Sequence, residues 1–272
     1  MTRPLVLAAH GTENPDGRAV VEQVAARAAA LLGVEHRVGY VDVCGPTLAE
    51  VLASLVEAGG AAGQGGGTAA PVVVPFFLSR GYHVRYDVPS AVAAMTPART
   101  ASDERRFESG GADSSTDAAV VTPALGAEPE VVEALTGRIL EADPTPRAVV
   151  LAAAGSGVAA AREEVAEVAR LVQEKLGIPV EPAFLSGPGP RPEDVVSGWA
   201  TSTSDTTRTD PAPTTHGSER GGIVVAAHLL APGFFLEKAA RVAVEIGGVA
   251  TGPLATHPSL VNLVLRRYRQ AL

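Results

Sequence analysis

The stretch LAAHGT at residues 7–12 returns 144 residues later as LAAAGS at residues 151–156. The same offset aligns Gly33 with Gly177, and each of these glycines follows an apolar pattern with helical spacing. Self-similarity at a fixed offset is the sequence signature of a repeated structural unit. The chain is therefore interpreted as an ancient duplication whose halves meet near residue 144, with an N-terminal lobe over 1–143 and a C-terminal lobe over 144–272.

Each half alternates short apolar segments with helical patterns, which predicts an α/β protein with one small parallel sheet per lobe, flanked by helices. Asn14, followed by a proline, predicts the start of the first helix. The predicted strands are Leu5–Ala9, Arg37–Val43, Val72–Phe77, Ala118–Thr122, Ala148–Ala152, Val180–Leu185, Ile223–Ala227 and Gly248–Thr251.

Two segments fall outside this alternation. Residues 96–117 are rich in Ser, Asp, Arg and Gly, and residues 201–222 are rich in Ser, Thr, Pro and Asp. Such compositions bury too little apolar surface to offset the entropy of ordering. Both segments are predicted to be flexible surface insertions, and a functional lid is the alternative.

Composition excludes several classes of protein. The chain has 272 residues, a net charge of −8 and a single cysteine, so neither an intramolecular disulfide nor a cysteine-based zinc site can form. Net acidity argues against nucleic-acid binding. The absence of a long apolar stretch predicts no membrane span, and the absence of a signal peptide predicts a cytoplasmic location.

Three polar side chains are predicted to converge at the sheet edge of the N-terminal lobe. Ligands of open α/β sheets bind beyond the carboxyl ends of the strands, where the strand order reverses. His10 follows the first strand, Asp42 lies near the end of the second, and His83 follows the third after a short turn. Imidazole and carboxylate without thiolate suit Fe(II), Co(II), Ni(II) or Zn(II). A neutral imidazole can alternatively accept a proton.

The second half provides an internal control for this site. At the offsets of the duplication, Ala154 replaces His10, Ser186 replaces Asp42 and Phe235 replaces His83. The surrounding pattern persists while all three polar groups are absent, which favours a functional over a scaffold role for them.

The stretches LAAHGT at 7–12 and VPFFLSRGYHVRYDVP at 74–89 resemble the sirohydrochlorin chelatases, the small ATP-independent class II tetrapyrrole chelatases of cobalamin and siroheme synthesis. The resemblance is to the two-domain long form and covers nearly the whole chain. It implies two Rossmann-like lobes facing a central cleft, metal ligation by His10 and His83, and a nearby acidic group at Asp42, where many relatives have Glu.

The resemblance also implies the reaction and its reactants. Co²⁺ or Fe²⁺, with Ni²⁺ as a further candidate, would be inserted into sirohydrochlorin, with no ATP or other nucleotide. A monomer is sufficient for such a site because one chain supplies both lobes, and a dimer is compatible with it. Candidate partners for the carboxylates of the tetrapyrrole are Arg18, Arg80, Tyr82 and Arg85, and the alternative for each arginine is a solvated surface position.

Alternative functions use some of the same residues. A non-catalytic carrier of metal or tetrapyrrole would need the same ligands. A histidine-phosphatase-like hydrolase would have an arginine directly before its nucleophilic histidine, whereas Ala9 precedes His10 here. Phe234, Phe235 and Leu236 are expected in an apolar wall or in the core. His228 could face the cleft, although its place at a strand end favours a structural role, and His257 is expected at a helix start.

Overall fold

The structure is a computed structural model that describes residues 2–61, 69–95, 119–202 and 222–272. The predicted insertion 96–117 lies outside the described residues, as does all of 201–222 except its first two residues and its last.

Two separate four-stranded sheets form, and every strand pair in them is parallel. The first sheet has the order β2-β1-β3-β4 and the second has the order β6-β5-β7-β8. The predicted fold class is therefore confirmed. The strands are β1 (Leu5–Ala9), β2 (His36–Tyr40), β3 (Val72–Pro75), β4 (Val120–Val121), β5 (Ala148–Ala153), β6 (Val180–Phe184), β7 (Ile223–His228) and β8 (Val249–Ala250).

Helices connect the strands of each sheet. The first begins as the sequence predicts, because the Asn14 side chain accepts hydrogen bonds from the backbone N–H groups of Asp16 and Gly17. It ends at Gly33, which adopts the left-handed conformation with φ 68°. The helices are α1 (Pro15–Leu32), α2 (Leu48–Ala61), α3 (Tyr82–Arg85), α4 (Asp87–Ala93), α5 (Pro129–Ala142), α6 (Ala159–Leu176), α7 (Pro192–Ser202), α8 (Phe234–Glu245) and α9 (Pro258–Gln270).

Local differences from the sequence prediction occur close to the site. β2 ends at Tyr40, three residues earlier than predicted, because the chain then turns so that the Tyr40 N–H donates to the Pro46 carbonyl. Asp42 therefore lies in the loop beyond the strand. His83 lies inside α3, a single helical turn that is too short to give a periodic pattern in sequence.

The last helix of each half packs against the other half. α9 packs on α1 and β3, whereas α5 packs on α6 and β7. One buried apolar cluster contains Leu7 and Phe76 of the first sheet together with Leu151 and Ala226 of the second. The two lobes therefore share a core, and the division of the chain near residue 144 stays a prediction about its sequence.

Candidate metal-binding site

The loops after β1 and β2 run against each other at the carboxyl edge of the first sheet. Gly11 has φ 99°, and a Cβ atom at this position would lie 2.1 Å from the Asp42 carbonyl oxygen. The Asp42 N–H donates to the His10 carbonyl at 3.0 Å. Glycine is required here because the backbones approach too closely for a side chain. This contact fixes His10 and Asp42 as neighbours.

The structure brings His10, Asp42 and His83 together. Each offers a nitrogen or oxygen donor, and these donor atoms all lie within 4.8 Å of one another. The two imidazole rings are nearly perpendicular, at 84°, with centroids 4.6 Å apart. Donors bound about 2.1 Å from one ion are at most about 4.2 Å apart, so any wider pair has to close by roughly half an ångström. The three side chains can therefore hold one divalent ion.

Hydrogen bonds at Nδ1 orient both imidazoles. His83 Nδ1 lies 2.5 Å from Asp87 Oδ2, and His10 Nδ1 lies 3.2 Å from the Gly11 carbonyl oxygen. Both partners are acceptors, which places the proton on Nδ1 and leaves the Nε2 lone pair available to a metal. A metal-ligating histidine commonly has such a partner on its second nitrogen.

Asp87 is the functional candidate that sequence reasoning missed. It lies four residues after His83, a spacing that brings two side chains to one face of a helix. The signal was present within the quoted motif, but recognising it required knowing that His83 is helical. Asp42 is held differently, since its Oδ1 accepts from the Val43 N–H at 2.7 Å, leaving the second oxygen to act as a ligand.

A cleft of about 1180 Å³ lies between the carboxyl edges of the two sheets. That volume exceeds the roughly 300–1,000 Å³ of ordinary small-molecule sites. Both lobes contribute corresponding residues to its floor: Ala9, Tyr40 and Phe76 from the first, and Ala153, Phe184 and His228 from the second.

The upper cleft walls are aromatic and acidic. Tyr82 of the N-terminal lobe and Phe234 of the C-terminal lobe both line the cleft and are largely exposed. Among the described residues that line it, the charged side chains are acidic, and no lysine or arginine is present. They are Glu13, Asp16 and Glu237. A cation is therefore favoured between these upper walls.

The arginines named as candidate carboxylate partners do not line the cleft, and their role towards the substrate stays a prediction. Arg18 Nη1 donates to the Thr12 and Glu13 carbonyls, and Arg162 does the same to the Ser156 carbonyl in the other lobe. This interaction occurs in both lobes and so braces a loop. Arg80 pairs with Glu164 across the lobe boundary, with Nε 2.5 Å from Oε1.

The remaining predicted positions divide between the cleft and the surface. Arg85 is exposed and is absent from the cleft lining, whereas Tyr82 is part of it. Phe235 also lines the cleft, as the apolar-wall interpretation expects. His257 caps α9, because its Nδ1 accepts from the Ser259 N–H. No helix among the described residues is long and apolar enough to cross a membrane.

Comparison with known proteins assigns the family. The family model described as CbiX matches residues 4–142 and 148–271, which is nearly the whole chain. The chain belongs to the CbiX family. The two matched stretches meet within a few residues of the predicted boundary of the duplication.

Relatives of this CbiX-family chain agree in fold. SirB from Bacillus subtilis, solved with Fe³⁺, has 19% identity and a TM-score of 0.72, over 100% of this chain and 96% of that one. SirB from Bacillus subtilis subspecies spizizenii, in complex with cobalt, has 16% identity and a TM-score of 0.69, with coverages of 100% and 95%.

A curated relative agrees in sequence over a shorter stretch. The sirohydrochlorin cobaltochelatase of Methanopyrus kandleri is 34% identical over 86 residues, which are 31% of this chain and 54% of that protein. The match therefore spans about half the length of that relative.

Proposed function

We propose that this protein inserts a divalent metal, Co²⁺ or Fe²⁺, into sirohydrochlorin without ATP. The observation that carries the proposal is the group formed by His10, Asp42 and His83, whose two histidines line a large interlobe cleft. Family membership supports it, as does the cobaltochelatase named among the relatives. The choice between cobalt and iron decides whether the product belongs to cobalamin or to siroheme synthesis.

His10 and His83 would bind the incoming metal through Nε2, and Asp42 would supply a third, anionic ligand. Three protein ligands leave coordination positions open for water and then for the pyrrole nitrogens of the macrocycle. Asp87 would keep the His83 ring in the tautomer that ligates. Acidic side chains along the cleft would favour arrival of the cation.

The reaction exchanges two pyrrole N–H protons for one metal ion. As each N–H bond breaks, its electron pair forms a nitrogen–metal bond and the proton leaves to a base or to water. The protein's contribution is to hold metal and ring against each other in one cleft, since proximity supplies a large share of rate enhancement. Tyr82 and Phe234, from opposite lobes, would cover the faces of the ring.

Most of the carboxylates of sirohydrochlorin would point outward from the cleft, since its lining lacks cationic side chains among the described residues. Arg85 and Arg80, on the surface beside His83, are proposed partners for them, with Arg80 exchanging Glu164 for the substrate. One chain supplies both cleft walls, so a monomer is the proposed active form, and the proposed location is the cytoplasm.

The test is anaerobic metallation of excess sirohydrochlorin with Co²⁺, Fe²⁺ or Ni²⁺, followed by the change in absorption. A chelatase yields many equivalents of product per protein, faster than the uncatalysed reaction. A carrier stops at one equivalent, and that result would overturn the proposal. The ratio of kcat/KM for cobalt and iron then identifies the preferred metal.

A histidine-phosphatase-like activity is not favoured by the site. His10 has an aromatic imidazole partner and a carboxylate beside it, whereas a phosphate would need cationic donors. Absence of turnover with a generic phosphomonoester is the expected result.

A further inference from the structure

His228 is a polar side chain in a position that otherwise belongs to the hydrophobic core. It is the last residue of β7 and pairs in register with Ala153 of the neighbouring strand. Side chains alternate along a strand, so His228 shares a face with Val224 and Ala226, both members of the central apolar cluster. His228 is only 4% exposed, and it lines the cleft floor.

The imidazole of His228 lacks the partners that a buried histidine normally has. Its Nε2 atom is fully buried and has no hydrogen-bond partner in the described part of the chain. Buried polar groups are nearly always paired, so an unpaired nitrogen on a residue that lines the cleft calls for an explanation. Burial also lowers the pKa of His228 to about 4, which keeps the ring neutral, with one N–H donor, at physiological pH.

Packing alone does not require a histidine here. The duplication places Phe76 at the corresponding position, where its N–H donates to the Ala8 carbonyl and the residue is 1% exposed. An aromatic hydrocarbon therefore fills the same space in the N-terminal lobe without an unpaired nitrogen. The polar atom of His228 is an addition to the scaffold, as the polar atoms of His10 and His83 are in the other lobe.

We propose that His228 is a substrate-binding residue, whose ring N–H donates a hydrogen bond to a carboxylate on the inner edge of the tetrapyrrole. This inference rests on the proposed function. It makes the C-terminal lobe a recognition surface, while the N-terminal lobe holds the metal.

The depth of His228 in the cleft selects the edge of the ring rather than its centre. His10 and His83 both lie beyond the strand ends and define where the metal and the ring centre must be. His228 is the last residue of β7, at the cleft floor, so it meets the part of the ligand that enters deepest. The rest of that floor is apolar apart from Tyr40, so an inserted carboxylate needs a donor there.

The experiment compares His228→Phe, which installs the residue of the other lobe, with His228→Gln, which retains an N–H donor. For His228→Phe we expect KM for sirohydrochlorin to rise about 10- to 100-fold with kcat nearly unchanged, as for loss of a hydrogen bond to a charged group. His228→Gln should recover part of that loss. The Tm of His228→Phe should equal or exceed that of the wild type, because an unsatisfied buried group is removed.

Several outcomes would overturn the inference. A wild-type KM in His228→Phe means that the imidazole serves no ligand, and a large fall in kcat at constant KM places it at the reacting nitrogens instead. A lowered Tm with matched losses in both variants makes it a structural residue.

Failure of the proposed function is a separate result, because wild-type protein would then fail to turn over sirohydrochlorin at all. Co²⁺ titration without tetrapyrrole provides the control. His228→Phe should bind the ion as the wild type does, since its metal ligands are intact.

Discussion

In the N-terminal lobe, Gly11 lets the loop after β1 pass against the Asp42 carbonyl; in the C-terminal lobe, Gly155 does the same against the Ser186 carbonyl. A Cβ atom would lie 2.1 Å from that oxygen in the first lobe and 2.0 Å in the second. Only the side chains differ: Ser186 Oγ donates to the Ala154 carbonyl, where the first lobe has Asp42 and His10. The loop geometry is thus independent of the metal ligands that it displays.

The cleft floor shows the opposite distribution of polarity. There the N-terminal lobe has Phe76 and the C-terminal lobe has His228. Substitutions at matched positions of the two lobes can therefore separate scaffold from chemistry.

The largest effect is expected at the metal ligands. His10→Ala and His83→Ala should each lower kcat/KM for metallation at least about 100-fold, since loss of even an outer-shell partner costs 10- to 100-fold. Ser186→Ala, at the position of Asp42 in the other lobe, is the control and should leave metallation near the wild-type rate. Equal rates in all three variants would refute the site.

The paired glycines should separate stability from metal binding. Gly11→Ala and Gly155→Ala each place a Cβ against a backbone oxygen at positive φ, so each should lower the free energy of unfolding by about 2–4 kcal/mol. Only Gly11→Ala should also weaken Co²⁺ binding, measured at a temperature where both variants are folded. Equal weakening by both would show that the lobes are coupled.

Asp87→Asn tests whether the His83 tautomer matters. The amide keeps the shape but weakens the acceptor beside Nδ1, so Co²⁺ affinity should fall about 10- to 100-fold by titration, with little change in Tm. The corresponding residue of the C-terminal lobe is the fully buried Ala239, in keeping with the absence of a ligand to orient there. Unchanged affinity would restrict Asp87 to a helix-stabilising role.

The smallest effect on stability is expected at the ion pairs of α9, a helix that packs against the other half of the chain. Burial raises the pKa of Glu128, but hydrogen bonds and charge from Arg266 and Arg267 outweigh it and hold that pKa below its usual value. Hydrogen bonding to Arg266 likewise lowers the pKa of Glu130. Carboxyl pKa values lower in the folded state give stability that is present above the unfolded pKa near 4.3 and lost as pH falls through the folded values.

Glu128→Gln should therefore cost about 1 kcal/mol of unfolding free energy at pH 7 and progressively less below about pH 4. Denaturant unfolding across that range measures the difference. The control is Glu133→Gln, at an exposed position of α5. If the difference in unfolding free energy between Glu128→Gln and the wild type were the same at every pH, the ion pairs of α9 would contribute nothing to holding the two lobes together.

Much of the fold could be predicted from sequence because its signals are local. Asn14 and Gly33 bound α1 through capping chemistry, and β1 is a short apolar run between turn residues. His83 illustrates the limit, since the one-turn helix that aligns it with Asp87 is too short for periodicity. Arg18 illustrates another, because a carbonyl partner six residues away cannot be distinguished from solvent by residue type.

The sequence by itself indicated a duplication, and it determined the parallel α/β architecture and the three polar positions that one half has and the other lacks. These follow from composition, period and offset, which are properties of neighbouring residues along the chain. Only the tertiary structure decided that α5 and α9 each pack against the other half of the chain, and that Arg80 pairs with Glu164. It also decided that the Nε2 atom of His228 lies unpaired at the cleft floor. Those are contacts between distant segments, and they arise from how the two sheets bury their helices together.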